Sequence, residues 1–180
     1  MSVPTLGSLV SVPALDRPDL LAPSVADALR GWPGAENMSV AEIDPDLADT
    51  AALTEAYDLP LSASANCVVV SGRRAGEERI AACVVRADTR ADVNNLVKRT
   101  LDVRKASFLP VERAVAETGM EYGGITPVGL PAGWRVLVDA TVLDIDVAII
   151  GSGVRRSKLL LGGGDLAALP GVEVLERLGI

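Results

Sequence analysis

The sequence predicts an α+β domain built on a central, largely mixed or antiparallel sheet. Three observations point there. The apolar residues are mostly Ala, Val and Leu, with only one Phe, two Tyr and two Trp in 180 residues. Such a composition suits a Val-rich sheet covered by Ala- and Leu-rich helices. Strand-like and helix-like segments also alternate irregularly, giving neither a repeating βα order nor an all-β one. Finally, the length falls in the usual range for one domain, and no internal repeat or long low-complexity tract divides it.

Taken in order, residues 1–23 are rich in Pro, Ser and Leu and read as an irregular lead-in, with the domain proper at 24–180. Ser24 to Trp32 carries Val25, Ala28 and Leu29 on one helical face, and Gly31, Pro33 and Gly34 end it. Ser39 to Ile43 reads as a short strand. Asp49 is placed as the N-cap of a helix with Ala52, Leu53, Ala56 and Tyr57 inward, stopped by Asp58-Leu-Pro60. Strands at 66–71 and 79–86 flank the polar, glycine-containing segment GRRAGEE, a hairpin signal. Thr89-Arg-Ala-Asp92 resembles a capping box before a helix burying Val93, Leu96, Val97 and Leu101. Pro110 opens a second helix, with Val111, Ala114 and Val115 inward and Gly119 as its C-terminal cap. Strands return at 135–138, 146–150 and 158–161, then a short helix at 165–169 and a strand at 172–175.

Charge is distributed unevenly. The net is −7, yet residues 1–60 hold 2 basic and 10 acidic side chains while residues 61–120 hold 10 basic and 7 acidic. An acidic total argues against a strong nonspecific nucleic-acid binder. A local basic face drawn from Arg73, Arg74, Arg79, Arg99, Arg104, Arg155, Arg156 and Lys158 is compatible with it, as is an ordinary mixed surface. Cys67 and Cys83 lie within Val/Ala runs and read as buried thiols in a reducing cytoplasm. No segment reaches the ~18 apolar residues of a membrane span, and the N-terminus lacks the pattern of a secretory signal, so a cytoplasmic protein without membrane contact is expected.

The chain has no histidine. That removes Ser-His-Asp and Cys-His catalysis and His-ligated metal sites, so neither a metal nor a cofactor is expected. Chemistry here must use carboxylates, lysine, hydroxyls, backbone amides or groups on the substrate.

Two glycine-rich segments are candidates. In Glu121-Tyr-Gly-Gly-Ile-Thr-Pro-Val-Gly-Leu-Pro131, the pair Gly123 and Gly124 permits close backbone approach, while Pro127 and Pro131 stiffen the loop. A tight loop explains the glycines; a pocket wall explains the mixture with proline. In Val147-Ala-Ile-Ile-Gly151-Ser-Gly153-Val-Arg-Arg-Ser-Lys158, a strand enters a glycine turn followed by three cations. Amides at such a turn can hold a carbonyl oxygen or a phosphate. It is neither a Rossmann fingerprint, since Arg156 replaces the third glycine, nor a P-loop.

In combination, Asn66-Cys-Val-Val-Val, Glu117-Thr-Gly119, Gly123-Gly-Ile-Thr-Pro127-Val-Gly129, Gly151-Ser-Gly153 and the later Gly-Asp165-Leu166 resemble the YbaK/prolyl-tRNA synthetase-associated domain family over residues 24–175. The resemblance implies a single compact α+β domain with a mixed, strongly curved β-sheet packed by helices. It implies a trans-editing hydrolase that cleaves the ester bond of mischarged aminoacyl-tRNA, with the tRNA acceptor end and an aminoacyl-tRNA synthetase as partners. Carried over by motif, the amides of Gly151 and Gly153 would stabilise an oxyanion, an effect of ~2.7–4 kcal/mol per donor in hydrolases. The loop from Gly124 through Thr126 to Pro127 would line the amino-acid pocket; Gly123, Ser152, Arg155 and Lys158 are further candidates for substrate contact, and Lys98, Arg155 and Lys158 are the candidate cations near the 3′ end. A hydroxyl of the terminal adenosine would help position water. One position departs from the pattern: relatives commonly carry Lys-Thr or Lys-Asn entering the first core strand, and here Asn66-Cys67 stands there. Asn66 is then either the catalytic-site replacement for that lysine or a strand-start residue.

Three readings remain: the deacylase; a non-catalytic module binding aminoacyl-tRNA, a nucleotide or an amino-acid derivative, which the missing lysine favours; and an interaction protein using its acidic N-terminal third.

Overall fold

In the computed structural model, described over residues 3–180, the strands sort into two sheets. Strands β1 (Ser11–Pro13), β2 (Ser39–Glu42), β8 (Ser157–Leu161) and β7 (Ala148–Gly151) form one sheet in the order β1-β2-β8-β7, antiparallel throughout. The other is mixed: β5 (Ala106–Phe108), β3 (Ala65–Arg74), β4 (Glu77–Arg86), β6 (Arg135–Asp139) and β9 (Val172–Leu175), in the order β5-β3-β4-β6-β9, with β6 parallel to both of its neighbours. The α+β class and the mixed pairing hold; the single central sheet becomes two, linked by one bridge between Ser64 and Ile149.

The reason lies in which faces are apolar. Val84, Val136 and Val138 from the five-stranded sheet meet Val40, Ile150, Leu159 and Leu161 from the four-stranded sheet in one core, with Val25 and Leu29 of helix α1 (Pro23–Arg30). Alternate residues face away into separate clusters. Cys83, Val85 and Leu137 pack with Val97 and Leu101, whereas Ala41, Ile149 and Leu160 pack with Leu53 of helix α2 (Thr50–Ala56). The middle strands are therefore apolar on both faces, as Leu159-Leu-Leu requires.

Most segments sit within two residues of expectation, and the exceptions have local causes. Residues 3–23, expected to be irregular, contain β1 and two 3₁₀ turns, and they bury Ala14, Leu20, Leu21 and Ala22. The hairpin is tighter than GRRAGEE implied, because β3 and β4 pair out to Arg74 and Glu77 and leave a two-residue turn. Ala75 and Gly76 there have φ of 52° and 84°, the paired left-handed geometry that suits strand twist. Asp92, not Thr89, caps the next helix, accepting from the amides of Asn95 and Leu96, while the Thr89 hydroxyl donates to the Arg86 carbonyl. That helix is a π-helical turn at Val93–Val97 continuing into α3 (Lys98–Thr100). Helix α4 (Val111–Thr118) ends at Gly119 with φ 68°, but Val111 is exposed, since only Ala114 and Thr118 face inward. Helix α5 (Gly163–Ala167) starts earlier than expected, and β7 starts later. The basic residues do not form one face. Arg74 and Arg79 both pair with Asp102, and Arg74 stands roughly 26 Å along β3 from Asn66 at ~3.3 Å per residue.

Candidate functional site

A cavity of about 380 Å³ lies between β3 of the five-stranded sheet and the β7–β8 end of the four-stranded sheet. Five consecutive residues of β3, 65–69, line it together with Gly151 at the end of β7 and Lys158 at the start of β8. Alternate side chains of a strand point to opposite faces, so a consecutive run can line a cavity only if the strand presents its edge. Its polar lining includes Asp49, Thr50, Asn66 and Lys158, and the last three meet again with Gly151 around a small adjoining cavity. Val69, Leu109, Ala114 and Ile125 also line it and share a small apolar cluster.

Lys158 is the cation of this site. It is 8% exposed, and its Nζ lies 3.4 Å from the Gly123 carbonyl oxygen. Burial first, then the nearby Arg155 guanidinium, pushes its ammonium down to about 8, with Asp49 opposing. The Asn66 Oδ1 accepts from the Thr50 hydroxyl at 3.0 Å, which fixes the amide oxygen toward α2 and leaves the amide nitrogen as the available donor. Cys67, expected to be simply buried, is half-buried and lines the cavity. Burial, with a smaller contribution from Cys83, raises its thiol well above the ordinary value, so no thiolate nucleophile is presented.

The glycines hold the two loops backbone to backbone. A Cβ on Gly151 would stand 2.5 Å from the Gly124 carbonyl oxygen, and one on Gly124 would stand 2.7 Å from the Val154 carbonyl oxygen. Gly123, at φ 82°, leaves room for Arg155, whose guanidinium donates to the Tyr122 and Pro45 carbonyls while its amide donates to Glu121. Arg155 is thus a clamp on the loop at the cavity rim and does not line the cavity.

The site residues expected from sequence therefore divide. Asn66, Gly123, Gly151 and Lys158 come together at the cavity, and Gly124 supports it from behind. The Gly153 amide, expected to donate to an oxyanion, instead donates to the Gly124 carbonyl at 2.7 Å, and Gly153 lies against Ala22. Ser152 is fully buried, its hydroxyl 2.7 Å from that of Ser157. Thr126 is fully buried, and its hydroxyl has no hydrogen-bond partner. Pro127 lines a different cavity, of about 400 Å³, with Trp32 and Trp134. The loop from 123 to 127 passes between the two cavities, so only its first residues reach Lys158. Asp49 and Thr50 were missed as site residues, because a helix start explains Asp-Thr without a site. Asp49 makes no capping hydrogen bond with its side chain, and its Oδ1 lies 3.9 Å from the Arg155 guanidinium.

A family model described as an aminoacyl-tRNA editing domain matches residues 44–169. The chain belongs to that family. Solved structures agree on the fold of the editing domain. The hypothetical protein APE2540 superposes with a TM-score of 0.75 at 19% identity, covering 87% of this chain and 99% of its own. A candidate trans-editing enzyme for prolyl tRNA synthetase gives 0.70 at 20% identity, with 87% and 97% covered. A scaffold used for computational epitope grafting gives 0.72 at 21% identity over the same shares. At these identities the likeness establishes the editing-domain fold. Among the described residues, no helix is long and apolar enough to cross a membrane, and no group of three or more Cys, Asp or Glu is placed to hold a metal ion.

Proposed function

We propose that this editing domain is a cytoplasmic trans-acting hydrolase of the YbaK type, cleaving the ester between a mischarged amino acid and its tRNA. The observation that carries this reading is the convergence of Lys158, Asn66 and the side-chain-free Gly151 in the lining of the cavity. The lysine that relatives place at the entry of the first core strand is missing, and Lys158 supplies a cation beside that position from β8 instead. Its ammonium would attract the oxygen-rich 3′ end of the tRNA, in a low-dielectric setting where charge acts strongly. The Asn66 amide would donate to a substrate oxygen. Water would add to the ester carbonyl, the bond to the ribose oxygen would break, and that oxygen would take a proton, leaving a free amino acid and an uncharged tRNA. The apolar wall of Val69, Leu109, Ala114 and Ile125 fits hydrocarbon parts of the substrate.

The test is hydrolysis of a panel of mischarged tRNAs by the wild type, Lys158→Met and Asn66→Ala. Turnover on at least one substrate, with loss of roughly 10²-fold in Lys158→Met, supports the reading. A second reading, a module that binds aminoacyl-tRNA without turnover, is favoured by the internal bond of the Gly153 amide, which removes one oxyanion donor. Binding without hydrolysis of any substrate would establish it.

A further inference from the structure

The edge of β3 that faces the cavity is open over a short gap. At one end the Ser64–Ile149 bridge ties the strand to β7. At the other, the Leu109 amide donates to the Val69 carbonyl at 2.9 Å, after which Pro110, without an N–H, leads the chain away into α4. In a β-strand the N–H and C=O of one residue point to the same edge, and alternate residues point to opposite edges. The bond to Val69 therefore fixes Cys67 and Val69 as facing the open edge, while Asn66, Val68 and Val70 face their partners on β4. The Cys67 carbonyl and the Val69 amide point away from β4, lie beyond the β5 pairing at 70–72, and bond to no turn or loop residue. Each is a main-chain group available to a ligand, and both lie on residues that line the cavity beside Lys158.

We propose that this acceptor–donor pair is the receptor for the aminoacyl group: the α-ammonium donates to the Cys67 carbonyl and the ester carbonyl accepts from the Val69 amide. The inference rests on the deacylase reading and adds the atoms that hold the amino acid. Spacing supports the match. A strand edge offers a carbonyl and an amide two residues on, which is how parallel pairing holds the N–H and C=O of one facing residue. The gap admits one residue and no longer peptide, because it is closed at both ends. Recognition through main chain is blind to the side chain, so discrimination between amino acids falls to the apolar wall.

The experiment titrates protein labelled at valine nitrogen and cysteine carbonyl carbon with 3′-alanylamino-3′-deoxyadenosine, a non-hydrolysable amide, and with its lactoyl counterpart, which lacks the ammonium. The expected result is a downfield shift of the Val69 amide and a change at the Cys67 carbonyl, with the amides of Val68 and Val70 unmoved. The lactoyl compound should bind roughly 10- to 100-fold more weakly, the effect of losing one charge-assisted hydrogen bond. Saturable binding of the alanyl compound without movement at Cys67 and Val69, or equal affinity for the two compounds, overturns this inference and leaves the deacylase reading standing. Failure of the alanyl compound to bind at all overturns both.

Discussion

At the residue scale, the chemistry of the site turns on a few atoms whose surroundings can be changed one at a time. Lys158 has a native pKa of about 8 against an ordinary 10.5, so it binds protons less readily folded than unfolded. Stability therefore rises with pH between about 8 and 10.5, and the cost of holding the buried ammonium is fully present below 8. Lys158→Met should raise the unfolding free energy read from denaturant melts at pH 7 by up to roughly 3 kcal/mol, and flatten that pH dependence. In the same window, hydrolysis by the wild type should fall about tenfold per pH unit above 8, where the cation is lost, while any residual rate of Lys158→Met follows only the base-catalysed background. Gly151→Ala should cost roughly 1–3 kcal/mol in a thermal or denaturant melt and reduce turnover, because the new methyl meets the Gly124 and Ile125 carbonyl oxygens at 2.5 and 2.6 Å. These positions also mark how far the sequence can be read. Gly123, Gly124 and Gly151 stood out as glycines among prolines and cations; Gly124 and Gly151 lie where backbones touch, and Gly123 lies against the Arg155 guanidinium. Gly153, Ser152, Thr126 and Pro127 were equally prominent, but a motif read along the chain carries no direction, and the loop turns those residues toward other neighbours.

Elements follow from short-range chemistry, and their exceptions are testable. The β3–β4 hairpin closes on Ala75 in left-handed geometry, a conformation in which Ala is strained and Asn is not. Ala75→Asn should stabilise the protein by roughly 0.5–1 kcal/mol, read as a shift in thermal midpoint. Gly164 in α5 is exposed, has ordinary φ and open space around its Cα, so Gly164→Ala should stabilise by about 0.5–1 kcal/mol in the same measurement. Strand and helix positions were legible because Val-rich alternation, Pro110 and Gly119 act locally. The two-residue turn was not, since nothing in GRRAGEE says that the arginines and glutamates continue the ladder; Glu78 does so while also receiving Arg113 from α4.

At the scale of the whole molecule, the N-terminal stretch belongs to the fold. It supplies β1 to the four-stranded sheet, and the Ser157 hydroxyl donates to the Leu20 carbonyl beneath the Gly151–Lys158 loop. Deleting residues 1–22 should abolish a cooperative thermal transition, since Leu20 and Leu21 alone are buried side chains of the kind whose truncation to Ala costs ~2–5 kcal/mol each. A variant that still melts cooperatively near the wild-type temperature would show the stretch to be dispensable. The sequence by itself determined the α+β class, the longer strands and helices in their order without β1 and β5, the absence of histidine chemistry and, through its glycine-rich segments, the two loops that build the cavity. These are properties of composition and of neighbours along the chain. Only the tertiary structure decided that the strands form two sheets around a shared core, that Lys158 rather than Arg155 enters the cavity, and that the edge of β3 is left open. Those outcomes depend on which distant segments meet, and burial of both strand faces, not any local preference, selects that arrangement.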